Sequence, residues 1–242
     1  MIQREDFLRK IESNISQHGY HVTIVTGSEL PRFAYTIGCK ETLGSEFVFA
    51  GGENYSQFDI SEIFNETAST AKKESDWHNL SVSIASLGSF SVVQADKSWS
   101  KLLTLGVFDY YNQTEIQVWQ ILPDANHRTL DVPDMSKNFE VSAQPIWQWL
   151  SRKWNYPVPS GSMAVTNLAV LFGERAIEAT RWEKDGWEIF SGAGPDTPKE
   201  EMRIVPLGLL IGIDKSLEPV VHLEIGKGLW RDSDGLEWNN WE

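Results

Sequence analysis

Residues 56–73 read SQFDISEIFNETASTAKK and place Ile60, Ile63, Phe64, Thr67, Ala68 and Ala71 on one stripe. Small and apolar residues recurring every three or four positions mark an amphipathic helix. The segments around it carry a different period. Upstream, residues 21–26 put Val22 and Ile24 on one face, residues 33–38 follow across a turn at 28–31, and residues 46–50 end at Gly51-Gly52. Downstream, residues 80–85 and 90–94 alternate about Leu87-Gly88-Ser89, and residues 115–122 close at Pro123-Asp124. Short runs of period two joined by close turns are strands of a mainly antiparallel sheet. Helix and strands together predict an α+β domain. Phe7, Leu8, Ile11 and Ile15 add an opening helix over 3–17, ended by Gly19, and residues 99–108 read as a further helix.

The stretch Tyr156-Pro-Val-Pro-Ser-Gly-Ser162 fits neither a helix interior nor a central strand, because proline lacks the N–H that both require. It predicts a boundary between a domain at 1–156, with a short aromatic helix over 146–154, and a domain at 163–242. In the second, residues 163–166, 176–182 and 186–190 read as strands, 167–172 as a helical turn and 192–198 as a loop. Residues 204–213 fit strand or helix, while 220–225 and 229–231 read as strands. The expected fold is two consecutive small α+β domains with mainly antiparallel sheets. Phe33, Tyr35, Ile37, Trp119, Ile121, Trp187 and Phe190 are the expected core.

Composition bounds the function. The 242 residues are 41% hydrophobic, enough for real cores, so a disordered class is excluded. Net charge is −13. It is spread along the chain, with eleven basic against nineteen acidic residues up to 140 and ten against fifteen beyond. Nucleic-acid binding is disfavoured, since phosphate neutralisation needs basic patches, whereas an acidic surface suits a basic partner. The lone Cys39 has no disulfide partner and fits a reducing compartment. It reads as a small buried hydrophobe in a strand. The first twenty residues lack a signal-peptide core and no stretch approaches a membrane span, so a cytoplasmic location is expected.

Catalytic chemistry is sparse. His18, His21, His78, His127 and His222 are dispersed, no phosphate-binding loop or nucleophile elbow occurs, and neither metal nor organic cofactor is expected. Gly226-Lys-Gly228 marks a tight turn or bulge. The most chemically loaded loops are C-terminal. Asp196, Glu200 and Glu201 form one acidic cluster, while Asp232, Asp234, Glu237 and Glu242 accompany Trp238 and Trp241. Carboxylates with exposed tryptophans make a candidate partner surface, since tryptophan often anchors interfaces. Trp182 and Trp187 fit packed core better than a surface. The alternative is an enzyme with a small-molecule pocket near Tyr35, His18 and Asp124.

Two stretches carry resemblances. His18-Gly19-Tyr20-His21-Val22, Phe33-Ala34-Tyr35-Thr36-Ile37-Gly38, Tyr110-Tyr111 and Val118-Trp119-Gln120-Ile121-Leu122-Pro123-Asp124 occur in order. By these, residues about 12–134 resemble the bacterial family called domain of unknown function 4262. The chain carries Gly44-Ser45-Glu46-Phe47 where that pattern usually has Gly-His-Pro-Glu. Residues about 163–232 resemble the immunity protein 33-like domain, through Asp185-Gly186-Trp187-Glu188-Ile189-Phe190-Ser191-Gly192, Val205-Pro206-Leu207 and Gly228-Leu229-Trp230-Arg231-Asp232. This second resemblance implies an immunity protein that sequesters a cognate toxin domain without catalysis, and the acidic surface suits a basic one.

Overall fold

The structure is a computed structural model and describes residues 4–27 and 29–241. Gln3, Ser28 and Glu242, which the expectations above touch, lie outside them. The chain forms two compact units. The first holds Met1–Val25, Arg32–Arg128 and Asp134–Phe139, and the second holds Thr26–Pro31, Thr129–Pro133 and Glu140–Glu242. Residues 140–156, grouped with the first domain in the sequence reading, are found in the second unit.

The first unit runs α1 (Arg4–His18), β1 (His21–Val25), β2 (Phe33–Ile37), α2 (Cys39–Leu43), β3 (Glu46–Ala50), α3 (Gln57–Ala71), β4 (Ser81–Ile84), β5 (Gly88–Gln94), α4 (Lys97–Leu103), α5 (Leu105–Tyr111) and β6 (Val118–Pro123). Its six strands form one sheet in the order β1-β2-β3-β6-β5-β4, antiparallel except where β3 runs parallel to β6. A capping box opens α3: Ser56 Oγ accepts the Asp59 N–H (3.2 Å) and Asp59 Oδ2 accepts the Ser56 N–H (2.7 Å). The whole stripe foreseen for this helix is buried. Ile60, Ile63 and Phe64 pack with Phe47, Phe49, Trp119 and Ile121 from the sheet. The helix expected over 99–108 is two, because Thr104 Oγ1 donates back to the Ser100 carbonyl (2.8 Å) and the backbone breaks there. Gly106 then leaves room for the Tyr35 hydroxyl, which would collide with any Cβ at that position. Cys39 is buried as expected, but opens α2 rather than lying in a strand.

The second unit runs through a 3-10 helix Pro145–Leu150, β7 (Met163–Asn167), α6 (Leu168–Leu171), β8 (Glu178–Arg181), β9 (Gly186–Phe190), β10 (Met202–Pro206), α7 (Leu207–Ile213), a 3-10 helix Lys215–His222, β11 (Lys227–Trp230) and β12 (Asn239–Asn240). The sheet order is β10-β7-β9-β8-β11-β12, with β7 and β9 the parallel pair. Residues 204–213 resolve into the end of a strand and then a helix, turning at Pro206. Residues 220–225, expected as a strand, instead end a 3-10 helix at His222 and run on into a turn at 225–226. Asp214 caps this helix by accepting the Ser216 N–H (2.9 Å), and Pro219 inside it has no N–H for a sheet ladder. Both sheets are largely antiparallel and the chain is α+β. All seven expected core residues are buried.

Candidate functional site

Cross-strand register divides the second sheet into a covered and an open face. Val205, Ala164, Trp187, Ile189, Ala179 and Leu229 alternate onto the covered face and are buried. The 3-10 helix Lys215–His222 lies on this face, its Val220 carbonyl accepting the Trp187 indole N–H (3.3 Å). The opposite parity sets Ile204 beside Val165, Glu188, Thr180 and Gly228 in one row, and Phe190 beside Glu178 and Trp230 in the next; Thr180, Gly228 and Phe190 are buried, so this face is only partly open. Ile204 is 67% exposed and Trp230 39%. Trp241 reaches the same face, its N–H bonded to the Gly228 carbonyl (3.1 Å) and its ring against Gly228, where a Cβ would lie 2.7 Å from Cε3. It remains 43% exposed.

Trp182 corrects the expectation of a packed residue. At 56% exposure it extends the open-face parity of β8, whereas Trp187, 2% exposed, points the other way. The charged strand residues on the open face are Glu178 and Glu188, both acidic. Scattered apolar residues on a surface are ordinary, whereas tryptophans are favoured as anchors where proteins meet.

The structure brings part of the expected surface together here. Trp230, Trp241, Glu178 and Asp232 line one cleft of about 410 Å3. The turn that carries Asp196 is tied to Glu178, whose Oε2 accepts the Gly194 N–H (3.4 Å), but Asp196 does not line the cleft. Glu200 and Glu201 lie beyond, in a turn leading into β10, and Asp234 and Glu237 are exposed outside the cleft lining. Trp238 turns inward. Its indole N–H donates to the Ser216 carbonyl (2.9 Å), and the Arg231 guanidinium sits 4.2 Å from its ring centre. Arg231 is itself buried, donating to Asp214 Oδ2 (2.8 Å), Ser216 Oγ (2.6 Å) and the Ala176 carbonyl (2.7 Å). Burial pushes the Asp214 carboxyl up, but hydrogen bonds from Ser216 and Arg231 outweigh it and hold it below its ordinary value. Trp238 is thus a structural anchor. Glu178, Glu188, Ile204 and Trp182 were not among the expected site residues. Strand parity is the signal that marks them, once the register is known.

In the first unit, the motif residues build buried and part-buried polar joints. Glu46 is fully buried, and its Oε1 accepts the Gly38 N–H (2.9 Å), the Lys40 N–H (3.0 Å) and the Tyr111 hydroxyl (2.8 Å). Its Oε2 accepts the Thr36 hydroxyl (2.5 Å), and Thr36 Oγ1 accepts the Phe47 N–H (2.8 Å). Burial and the Glu46 charge both push the Tyr111 hydroxyl above its ordinary pKa. Gln120 Oε1 accepts the Met135 N–H (3.1 Å). Asp124 ends β6 by accepting the Ser89 N–H (2.8 Å), the Asn126 N–H (3.0 Å) and a contact from His127 Nδ1 (2.8 Å). These bonds, the Ser89 amide foremost, hold its carboxyl below the usual range.

Residues 14–130 match the family model described as Domain of unknown function (DUF4262). No curated protein and no solved structure matches the chain. The DUF4262 match covers all six strands of the first sheet. Within it, Tyr35, His18 and Asp124 do not converge. Tyr35 is buried against Gly106, Asp124 lies against Gly88, and His18 lines a separate cleft of about 290 Å3 with Tyr20, Cys39 and Asn65. Burial raises the Cys39 thiol to about 12, with the Glu46 charge adding to the effect. Among the described residues no group of His, Cys, Asp or Glu is placed to hold a metal ion, and no helix is long and apolar enough to cross a membrane.

Proposed function

We propose that this chain is an immunity protein that binds a basic toxin domain through the open face of its second sheet. The observation that carries the reading is the pair of exposed tryptophans, Trp230 and Trp241, lining one cleft, with Trp182 and Ile204 exposed elsewhere on a face whose charged strand residues are both glutamates. Such a face combines anchors that exclude water with carboxylates that steer a cationic partner. The cleft between Trp230 and Trp241, with Glu178 and Asp232 lining it, suits an arginine or lysine head over an aromatic ring. The immunity-protein resemblance of residues 163–232 supplies the partner class. Binding by occlusion asks nothing of the first unit beyond a stable fold.

Growth rescue tests it. A candidate toxin domain taken from the neighbouring genes is expressed in a heterologous bacterium, where it is expected to arrest growth. Co-expression of the wild-type chain restores it, whereas Trp230→Ala with Trp241→Ala does not, although the variant is folded. Equal protection by that folded variant, or none by the wild type, would refute the reading.

A further inference from the structure

The second unit contains another cleft, which the toxin-binding reading does not use. It encloses about 390 Å3 between the residues that trail the 3-10 helix Pro145–Leu150 and the C-terminal end of α7. Its charge is opposite to that of the chain. In a protein of net charge −13, the cleft gathers Arg152, Lys153 and Lys215 against one carboxylate, Glu218. That carboxylate is already engaged, accepting the Tyr156 hydroxyl at 2.9 Å. Arg152 Nη1 donates to Gln148 Oε1 (2.8 Å), which leaves most of its fork of five N–H donors for a ligand.

The wall beside these cations is aromatic and rigid. Trp149 and Tyr156 meet edge to face with ring centres 5.9 Å apart, and Trp154 packs against both at 4.9 and 5.0 Å. The Trp149 indole N–H is fixed to the Gly208 carbonyl (3.2 Å). Gly212 holds α7 against the 3-10 helix, since a Cβ there would lie 2.5 Å from the Ile146 Cα. A concave site of this size with a fixed aromatic wall and three cations in its lining suits an anion attached to a flat ring. Phosphate alone leaves the wall unused, and a neutral nucleoside leaves the cations unused.

We propose that this cleft binds a small aromatic anion of the nucleoside monophosphate class, its phosphate held by Arg152, Lys153 and Lys215 and its ring placed against Trp149 and Tyr156. Calorimetric titration of the full chain with adenosine 5′-monophosphate, inorganic phosphate and adenosine tests this. The monophosphate binds at one site per chain and at least about tenfold more tightly than either fragment, a difference of about 1.4 kcal/mol. Arg152→Gln and Lys215→Gln each weaken it by about tenfold, and Glu218→Gln does not weaken it. In the wild-type chain, the monophosphate also slows chemical acetylation of Lys153 and Lys215 but not of Lys227, a readout that needs no variant. Trp230→Ala leaves this binding unchanged, so the outcome is independent of the toxin-binding face. Absence of saturable binding, equal affinity for phosphate alone, or undiminished binding by the folded Arg152→Gln, Lys215→Gln double variant overturns the proposal.

Discussion

Truncating Glu46 to alanine is expected to destabilise the first unit by about 3–4 kcal/mol, and the geometry says where that cost arises. Four donors converge on the carboxylate. The Thr36 and Tyr111 hydroxyls can rotate toward other partners, and the Gly38 N–H keeps the Tyr111 oxygen at 2.9 Å. The Lys40 N–H loses its acceptor in a part-buried setting, and a void opens where the side chain stood. An unsatisfied donor costs about 1–3 kcal/mol, and a lost hydrogen bond to a charged group about 1.5–3 kcal/mol. Relief of carboxylate desolvation offsets part of the sum, which brings the total into the stated range. Glu46→Gln is the sharper probe. Its oxygen can keep the three donors now on Oε1, while its amide faces the Thr36 hydroxyl, whose proton then loses the acceptor it has in Oε2. The conflict is then confined to one hydroxyl and costs about 1–2 kcal/mol. Urea unfolding followed by hydrogen exchange in peptides spanning residues 33–50 reads this unit separately from the other. With a slope of about 2 kcal/mol/M, the alanine variant shifts the midpoint by roughly 1.5–2 M. A glutamine variant as unstable as the alanine one, or an alanine variant within about 0.5 kcal/mol of wild type, would show that the carboxylate is not what joins β2, β3 and α5.

Other outcomes follow from single contacts. Gly88→Ala loses about 2–3 kcal/mol by thermal unfolding, because φ is +96° there and the new Cβ meets His127 Nδ1 at 2.6 Å and Asp124 Oδ2 at 2.7 Å. Trp238→Ala lowers stability by about 2–3 kcal/mol through loss of its stacking on Arg231 and its bond to Ser216, while the toxin dissociation rate of the folded variant stays unchanged. Burial, helped by Lys10, lowers the pKa of His21 below its ordinary 6.5. The unfolded chain therefore takes up a proton before the folded one, and stability falls as pH drops through that value; His21→Gln flattens the dependence in melts between neutral and mildly acid pH. Cys39, 1% exposed and with its thiol raised to about 12, reacts with a thiol reagent orders of magnitude more slowly in the native chain than in urea.

Local periodicity was enough for much of this architecture. The stripe from Ile60 to Ala71 is the buried face of α3, and the alternating runs about Gly88 are β4 and β5, because helix and strand periods follow from backbone geometry that each segment carries in itself. Its reach ended where the backbone is set by a side chain or by a distant partner. The break at Thr104 comes from one hydroxyl, and residues 220–222 took a 3-10 path from the Asp214 cap and Pro219 rather than the strand their alternation suggests. The candidate face was half legible. Asp232 and Trp241 stood out as chemistry, yet Trp182 and Trp187 look alike in the sequence and end on opposite faces of one sheet. Alternation separates the two faces of a strand but carries no label for the one that is covered. The helix Lys215–His222 supplies that label by packing on Trp187 from more than two dozen residues away. The basic cleft has the same origin: Arg152 and Tyr156 meet Lys215 and Glu218 only after α7 closes on the 3-10 helix through Gly212. Contacts between residues so distant in sequence depend on which surfaces exclude water from one another, and that is a property of the assembled tertiary structure.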